Sequence, residues 1–273
     1  GYLVQLTVSD GVATLTLNDP AHLNPLGMPL LQGALQALSQ VQQDRRVRAL
    51  VLRGAGRGFC VGADLGTFAA EPSPHARAES VHALLEQGGN PLVLALNRLP
   101  VPVVCAVHGP EAGGGVGLAL AADVVIAAKS AFFYLPFVPA LGLVPDMGAA
   151  WFLQRVLGPA RTKALVLMGD RLPAAQAAEW GLIWRCVDDD APTDEAPRLA
   201  QRLAALPAHA ALEVRALLRA ADGNELPTQL AYESQRQREL MAGAAFDEGL
   251  QAFLTKRVPS FPGRCRKSCK APV

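Results

Sequence analysis

Three short apolar runs, "RALVLRGAG", "VPVVCAVHG" and "VVIAA", are separated by segments of helical spacing, and this alternation constrains the fold more than any other feature of the chain. Such a sequence of αβ units predicts strands paired across crossovers in one layered α/β sheet. Upstream, "LVQLTVSDGVATLTLND" carries two alternating runs joined at Asp10-Gly11, a strong hairpin turn. A helix is expected from about Pro25, because Leu26, Leu30, Leu31, Ala34, Leu35, Leu38 and Val41 recur on one helical face. Residues 66–76, "GTFAAEPSPHA", read as a mobile polar loop containing prolines, followed by a helix from about Arg77 to Arg98.

Beyond about residue 149 the pattern is helical almost throughout. "AAWFLQRVLG" ends at Gly158 and "ARTKALVLMG" at Gly169, both good helix stops. "PAAQAAEWG" has proline at its start and glycine at its end, as a short helix should. Residues 193–255 read as three or four amphipathic helices with no strand. The expected organisation is an α/β core over 1–190, a helical assembly or lid region over 191–258, and a disordered tail over 259–273.

The formal net charge is +1, so the chain lacks the basic field that nucleic-acid binding requires. Of five cysteines, Cys60, Cys105 and Cys186 stand in apolar surroundings and read as buried thiols, while Cys265 and Cys269 fall in a basic tail. That spacing argues against a disulfide scaffold and for a reducing, cytoplasmic setting. The opening "GYLVQLTVSD" does not read as a signal peptide. The longest apolar stretch, "VGLALAADVVIAA", is interrupted by Asp123 and is too short to span a bilayer, so no membrane partner is expected.

Two glycine-bearing turns follow apolar strands: "GRGFCVGADL" and "HGPEAGGGVGLALAAD". Neither fits G-x-x-x-x-G-K-[ST] or an in-register G-x-G-x-x-G, so the phosphate-loop and dinucleotide readings are weak. Both turns offer backbone N–H groups where side chains are missing. If they face each other, two donors meet one oxygen, which is an oxyanion hole. For the Gly113-Gly114-Gly115 triplet alone, close helix–strand packing is the more ordinary explanation.

Taken together, "GFCVGADL", then "HGPEAGGGVGLALAADVVIAAKSAFF", "LGLVPDMGAAWFLQRVLG" and "GLIWRCVDD" resemble the crotonase (enoyl-CoA hydratase/isomerase) superfamily. The similarity runs from the first strand to "FLTKR" and is strongest to the ring-epoxide isomerases of phenylacetate degradation. The resemblance implies a crotonase-like (ββα)n superhelix of layered sheets with a helical C-terminal part, assembled as a homotrimer or dimer of trimers. It implies an acyl-CoA thioester as substrate and no cofactor beyond the coenzyme A moiety. By match to the motifs, Ala63 and Gly114 supply the two N–H groups that hold a thioester enolate. Leu23, Val61, Asp64 and Leu65 fall where the family contacts the adenine end of coenzyme A. Phe137, Val138, Leu141 and Trp151 are expected to line the acyl pocket.

One departure is informative. Hydratases of this family handle water with two glutamates, one three residues after the middle glycine and one twenty residues further on. This chain has Gly117 and Phe137 at those positions. Asp146 in "LGLVPDMG" instead matches the aspartate that serves as acid/base in the isomerase branch. A carboxylate in this neighbourhood is a nucleophile in the dehalogenating branch, and an Asp between Pro and a helix is also a good N-cap. The resemblance thus implies an isomerase that shifts a double bond or opens a ring by proton transfer through Asp146. The alternatives are a hydratase or lyase with relocated groups, and a non-catalytic relative of the kind that binds RNA.

Several residues have plainer readings. Glu111 is either a second acid/base or, more ordinarily, an exposed loop charge. His108 reads as a hydrogen-bonded structural histidine, and Cys60 has no activating base nearby in sequence. His75 and His82 lack ligand partners, so no metal is expected. Arg57 and Lys256 are solvated charges unless they meet phosphates.

Overall fold

The computed structural model describes residues 2–264. The chain begins with β1 (Val4–Ser9) and β2 (Val12–Leu17), antiparallel with Val4 opposite Leu17 and Ser9 opposite Val12. Asp10 and Gly11 between them have φ of 51° and 79°, both left-handed, which is the two-residue turn that matches strand twist. Then come α1 (Met28–Gln43), β3 (Ala49–Gly54), α2 (Leu65–Ala69) and α3 (Pro74–Leu84). A π turn over Leu85–Gly89 leads into α4 (Asn90–Asn97), β4 (Val103–Val107), β5 (Pro110–Ala112), α5 (Gly114–Leu120) and β6 (Val124–Ala128). Next are β7 (Phe132–Tyr134), α6 (Phe137–Leu141), α7 (Ala149–Met168), β8 (Leu172–Pro173), α8 (Ala174–Glu179) and β9 (Arg185–Val187). Four helices follow: α9 (Pro192–Ala204), α10 (Ala210–Gly223), α11 (Leu226–Met241) and α12 (Ala244–Leu254).

The strands form two sheets. The larger has the order β1-β2-β3-β4-β6-β9, parallel from β2 onward, and the smaller has the order β5-β7-β8. Side chains of the large sheet alternate between two buried layers. Ala13, Leu15, Leu17, Leu50, Leu52, Val103 and Cys105 face α1 and the main core. Val12, Ala49, Val51, Val104 and Ala106 face the other way, onto Ala196, Leu199, Ala200 and Ala204 of α9. A sheet that is apolar on both faces needs cover on both.

The structure departs from the sequence reading in three places. The division expected at residue 190 does not separate a helical region from the core, because α9 is one of the sheet's two covering layers. Its amphipathic pattern is the same whether the partner is a sheet or another helix. The segment 66–76 is not an open loop: most of α2 lies in it, and α3 starts at Pro74 behind a Ser73 cap whose hydroxyl accepts the Ala76 N–H. The tail expected from residue 259 is anchored as far as Arg264, whose guanidinium donates to the carbonyls of Val41, Gln42 and Val47 at 2.9–3.0 Å. Cys265, Cys269 and the rest of that tail lie outside the described residues.

Asp123 explains the break in the apolar run. It accepts the Val103 N–H at 2.7 Å and is held in a two-point grip by Arg215 of α10 at 2.6 and 2.7 Å. Arg215 also donates to the carbonyls of Leu99 and Val101, fastening α10 to the ends of β4 and β6. α7 is broken at Gly158 (φ 74°, ψ 177°) before Pro159, as the glycine stop predicts, and Gly169 caps its end in a left-handed conformation.

Candidate active site

Two loops meet at the end of the large sheet. The first leaves β3 and runs to α2. It is gathered by Asn24, whose side-chain amide reaches the carbonyls of Ala55, Gly58 and Phe59 at 3.0–3.2 Å. The segment around Asn24 also pairs with this loop through Val61 N–H to Leu23 O at 3.1 Å and Leu26 N–H to Gly62 O at 2.8 Å. The second loop joins β5 to α5. Gly113 is left-handed there (φ 58°), and its N–H is held by Tyr134 O at 3.0 Å. The two loops are tied by Ala112 N–H to Cys60 O at 3.0 Å.

Their contact explains the glycine at 62. Gly62 has φ 80°, and a Cβ there would stand 3.0 Å from the Ala112 carbonyl and 3.1 Å from the Gly114 nitrogen. The amide after Gly62 and the amide of Gly114 are thereby brought to one corner. Among the described residues, neither the Ala63 nor the Gly114 N–H has an acceptor. Two unpaired donors at the wall of a cavity are the arrangement that can receive a developing oxyanion.

That cavity has a volume of about 670 Å³. Ala63, Gly114 and Asp146 all line it, with Val61, Leu65, Phe68, Leu84, Leu85, Phe137, Leu141 and Met147 as its apolar wall. Asp146 and Arg77 are the titratable residues of the lining. Asp146 sits on the irregular segment between α6 and α7, and its Oδ1 lies 3.4 Å from where a Cβ on Gly114 would be. Burial in this apolar setting pushes its carboxyl up to about 6, against a smaller opposing pull from its own backbone N–H. Asp146 does not cap α7. The cap position is Gly148, no side chain bonds the first turn, and only the Asp146 carbonyl accepts the Ala149 N–H, at 3.1 Å.

Other predicted positions fall differently. Trp151 is outside the cavity: the residue is 47% exposed and its ring lies under the Arg155 guanidinium at 3.5 Å, in a separate cleft of about 500 Å³. The buried stripe of α7 is Ala149, Leu153 and Leu157, and residue 151 lies off that stripe. Val138 is half-buried but not part of the cavity wall, whereas Phe137 and Leu141 on either side of it are. Of the four positions expected at the adenine end, Val61 and Leu65 line the cavity. Leu23 contributes its carbonyl to the loop contact, and the Asp64 side chain caps α2 by accepting the Gly66 N–H at 3.0 Å.

Glu111 overturns its ordinary reading. It is fully buried, and neither carboxylate oxygen has a hydrogen-bond partner. β5 alternates: Ala112 faces the cavity, while Glu111 points back toward Cys60 and Cys105. Burial holds its carboxyl well above the usual range. The same burial pushes the Cys60 thiol up to about 12, which leaves it without a thiolate for nucleophilic attack. Cys186 is only half-buried. His108 Nε2 meets the Gly56 carbonyl at 2.6 Å. Among the described residues, no group of three or more His, Cys, Asp or Glu could hold a metal ion, and no helix is long and apolar enough to cross a membrane.

The layered sheets, the two tied loops and the apolar cavity with a pair of free amides define an α/β protein of the crotonase fold. A family profile described as Enoyl-CoA hydratase/isomerase matches residues 7–264. The chain is 44% identical to the 1,2-epoxyphenylacetyl-CoA isomerase of Escherichia coli K12 over 94% of this chain and 97% of that protein. It is 40% identical to a Rhodobacter capsulatus protein named "Probable enoyl-CoA hydratase", over 96% of this chain and 99% of the other. Its structure superposes on that of an enoyl-CoA hydratase from a Polaromonas species with a TM-score of 0.85 at 31% identity, covering 95% and 99% of the two chains. The chain belongs to the enoyl-CoA hydratase/isomerase family.

Proposed function

We propose that the chain is an acyl-CoA isomerase, moving a double bond or opening a strained ring by proton transfer. One observation carries this reading: a single carboxyl group, Asp146, lines an apolar cavity beside two unpaired amides. The thioester oxygen accepts from the Ala63 and Gly114 N–H groups, which stabilise the enolate formed when a neighbouring carbon loses its proton. Asp146, as carboxylate, takes that proton and returns it at another carbon. A two-carboxylate water mechanism has no support here, since the positions it uses are Gly117 and Phe137. The wall is mostly apolar and offers little to hold an attacking water, which favours proton return over hydration.

The substrate is read as an acyl-CoA thioester, with its coenzyme A moiety the only cofactor, and the setting as cytoplasmic. The relative from Escherichia coli supports a ring-epoxide substrate of the phenylacetate type. Exposed apolar residues on the last helices, among them Leu218, Leu230 and Phe253, support assembly into a homotrimer or dimer of trimers.

The test is incubation with cis-3- and trans-2-enoyl-CoA in deuterated water. Double-bond migration with deuterium incorporation, absent from Asp146→Asn, is the expected result. A 3-hydroxyacyl-CoA product made at a comparable rate would overturn the isomerase reading.

A further inference from the structure

Met147 follows Asp146 directly and has a left-handed backbone (φ 52°), which residues with a side chain seldom adopt. Such a conformation persists only where the surroundings over-determine it. Here the surroundings are three glycines from two parts of the fold, the π turn and α5. A Cβ on Gly114, at the start of α5, would stand 2.6 Å from the Met147 Sδ. One on Gly89, at the end of the π turn, would stand 3.2 Å from Sδ and 3.4 Å from Cγ. One on Gly117, within α5, would stand 2.2 Å from the Met147 carbonyl oxygen and 2.9 Å from its carbonyl carbon. Met147 is 5% exposed, so this socket encloses it almost completely.

The socket has two consequences. The Asp146 carboxyl is one residue from the seated side chain, so whatever holds Met147 also sets where that carboxyl points. The space just beyond Gly117 is filled by Met147 backbone, which cannot swing aside as the end of a flexible side chain could. Gly117 is the position at which the hydratase pattern carries a glutamate.

We infer that Met147, seated among Gly89, Gly114 and Gly117, is the positioning residue that fixes the Asp146 carboxyl beside the Gly114 amide, and that a side chain at 117 and this placement of Asp146 exclude one another. The inference rests on the proposed role of Asp146 for its kinetic consequences, but not for its geometry. A soft, unbranched side chain suits an irregular three-sided seat.

The full chain is assayed with cis-3-enoyl-CoA alongside Met147→Ala, Met147→Leu and Gly117→Glu, with circular dichroism and melting curves for each. Met147→Ala is expected to lose on the order of 10–100-fold in kcat, as a misplaced acid/base does, with KM changed less than about threefold. Met147→Leu, which keeps most of the volume, is expected to recover most of that loss. Gly117→Glu is expected to lose isomerisation without gaining hydration. Gly89→Ala, which crowds the flexible end of the Met147 side chain at Sδ and Cγ, is the gentler variant should Met147→Ala fail to fold, and it is expected to lower kcat about three- to tenfold with KM kept.

NMR titration of the Asp146 carboxyl in the wild type and in Met147→Ala reads the geometry without turnover. Water entering the emptied socket is expected to move the midpoint down from about 6 toward the ordinary aspartate range. That downward shift upholds the positioning role even if Asp146→Asn keeps full activity, a result that sinks only the isomerase reading. An unchanged titration with unchanged kcat in Met147→Ala overturns the inference, as does a Gly117→Glu protein that hydrates while still isomerising.

Discussion

The Oδ1 atom of Asp146 stands 3.4 Å from the place a Cβ would take on Gly114, so carboxyl and glycine amide share one corner of an apolar cavity. Asp146→Asn keeps the size and removes the basic oxygen. It is expected to lower kcat by about 10²–10⁴, measured in steady state with whichever acyl-CoA the wild type isomerises.

The same carboxyl, in its proposed role, is expected to set the pH dependence. A carboxyl can act as a base only when ionised, and burial pushes this one up to about 6. The rate in kcat/KM is expected to rise about tenfold per pH unit below that midpoint and to level off above it. A profile that stays flat between about pH 4.5 and 7 would contradict the assignment.

Gly62→Ala puts a side chain between the two loops, where the nearest atoms are 3.0 and 3.1 Å away and φ is 80°. The loops must part, and the Ala63 and Gly114 amides then aim at different points. A fall in kcat of about 10²–10³ is expected, the loss typical of one missing oxyanion donor. Stopped-flow or steady-state rates on the folded variant check it, with melting curves to confirm folding.

Glu111 is expected to weaken the fold at neutral pH. In the unfolded chain the carboxyl ionises around its ordinary 4.5, while in the folded chain burial keeps it protonated to well above that. Folding therefore takes up a proton over the intervening range, and stability is fully present below about pH 4.5 and declines as pH rises through it. Glu111→Leu removes the unpaired carboxyl at similar volume. It is expected to add about 1–3 kcal/mol at pH 7.5 and less at pH 5, read from thermal melts at both.

Arg215→Ala takes away the grip on Asp123 and leaves the Leu99 and Val101 carbonyls without their donor. The pair is partly exposed, with side chains 13% and 27% accessible, so the loss is set at about 2–3 kcal/mol, below that of a fully buried pair. Urea unfolding should show a lower midpoint with an unchanged slope.

What the sequence reveals of this protein depends on how local the cause is. Asp10-Gly11 specifies its hairpin because the turn's backbone angles follow from those two residues alone. Gly62 and the Gly113-Gly114-Gly115 run announce a place where backbone approaches backbone, and the loops do meet there. Asp146 stands out as the lone charge in an apolar run, and it does line the cavity.

The misses are of another kind. Trp151 looks like a pocket residue until the rotation of α7 is known, since on that helix one step separates the buried core from open surface. Glu111 carries no mark of burial, because a carboxylate is almost never fully buried without a partner. The left-handed turn at Met147 has no local signature either: methionine does not ask for it, and three glycines distant in sequence permit it. The partner of α9 was equally hidden, as amphipathicity states that a face is covered without stating by what.

Asn24 is fully buried, has a left-handed backbone (φ 53°) and gathers three carbonyls of the β3–α2 loop onto one amide group. With the backbone ties to Leu23, Leu26 and Ala112 added, the loop is fastened along its whole length. The Ala63 N–H is therefore set in place before any ligand enters, and this side of the cavity is a fixed jaw. Among the described residues, the α2–α3 wall of the same cavity has no comparable side-chain hub, so movement around a bound ligand is expected there first.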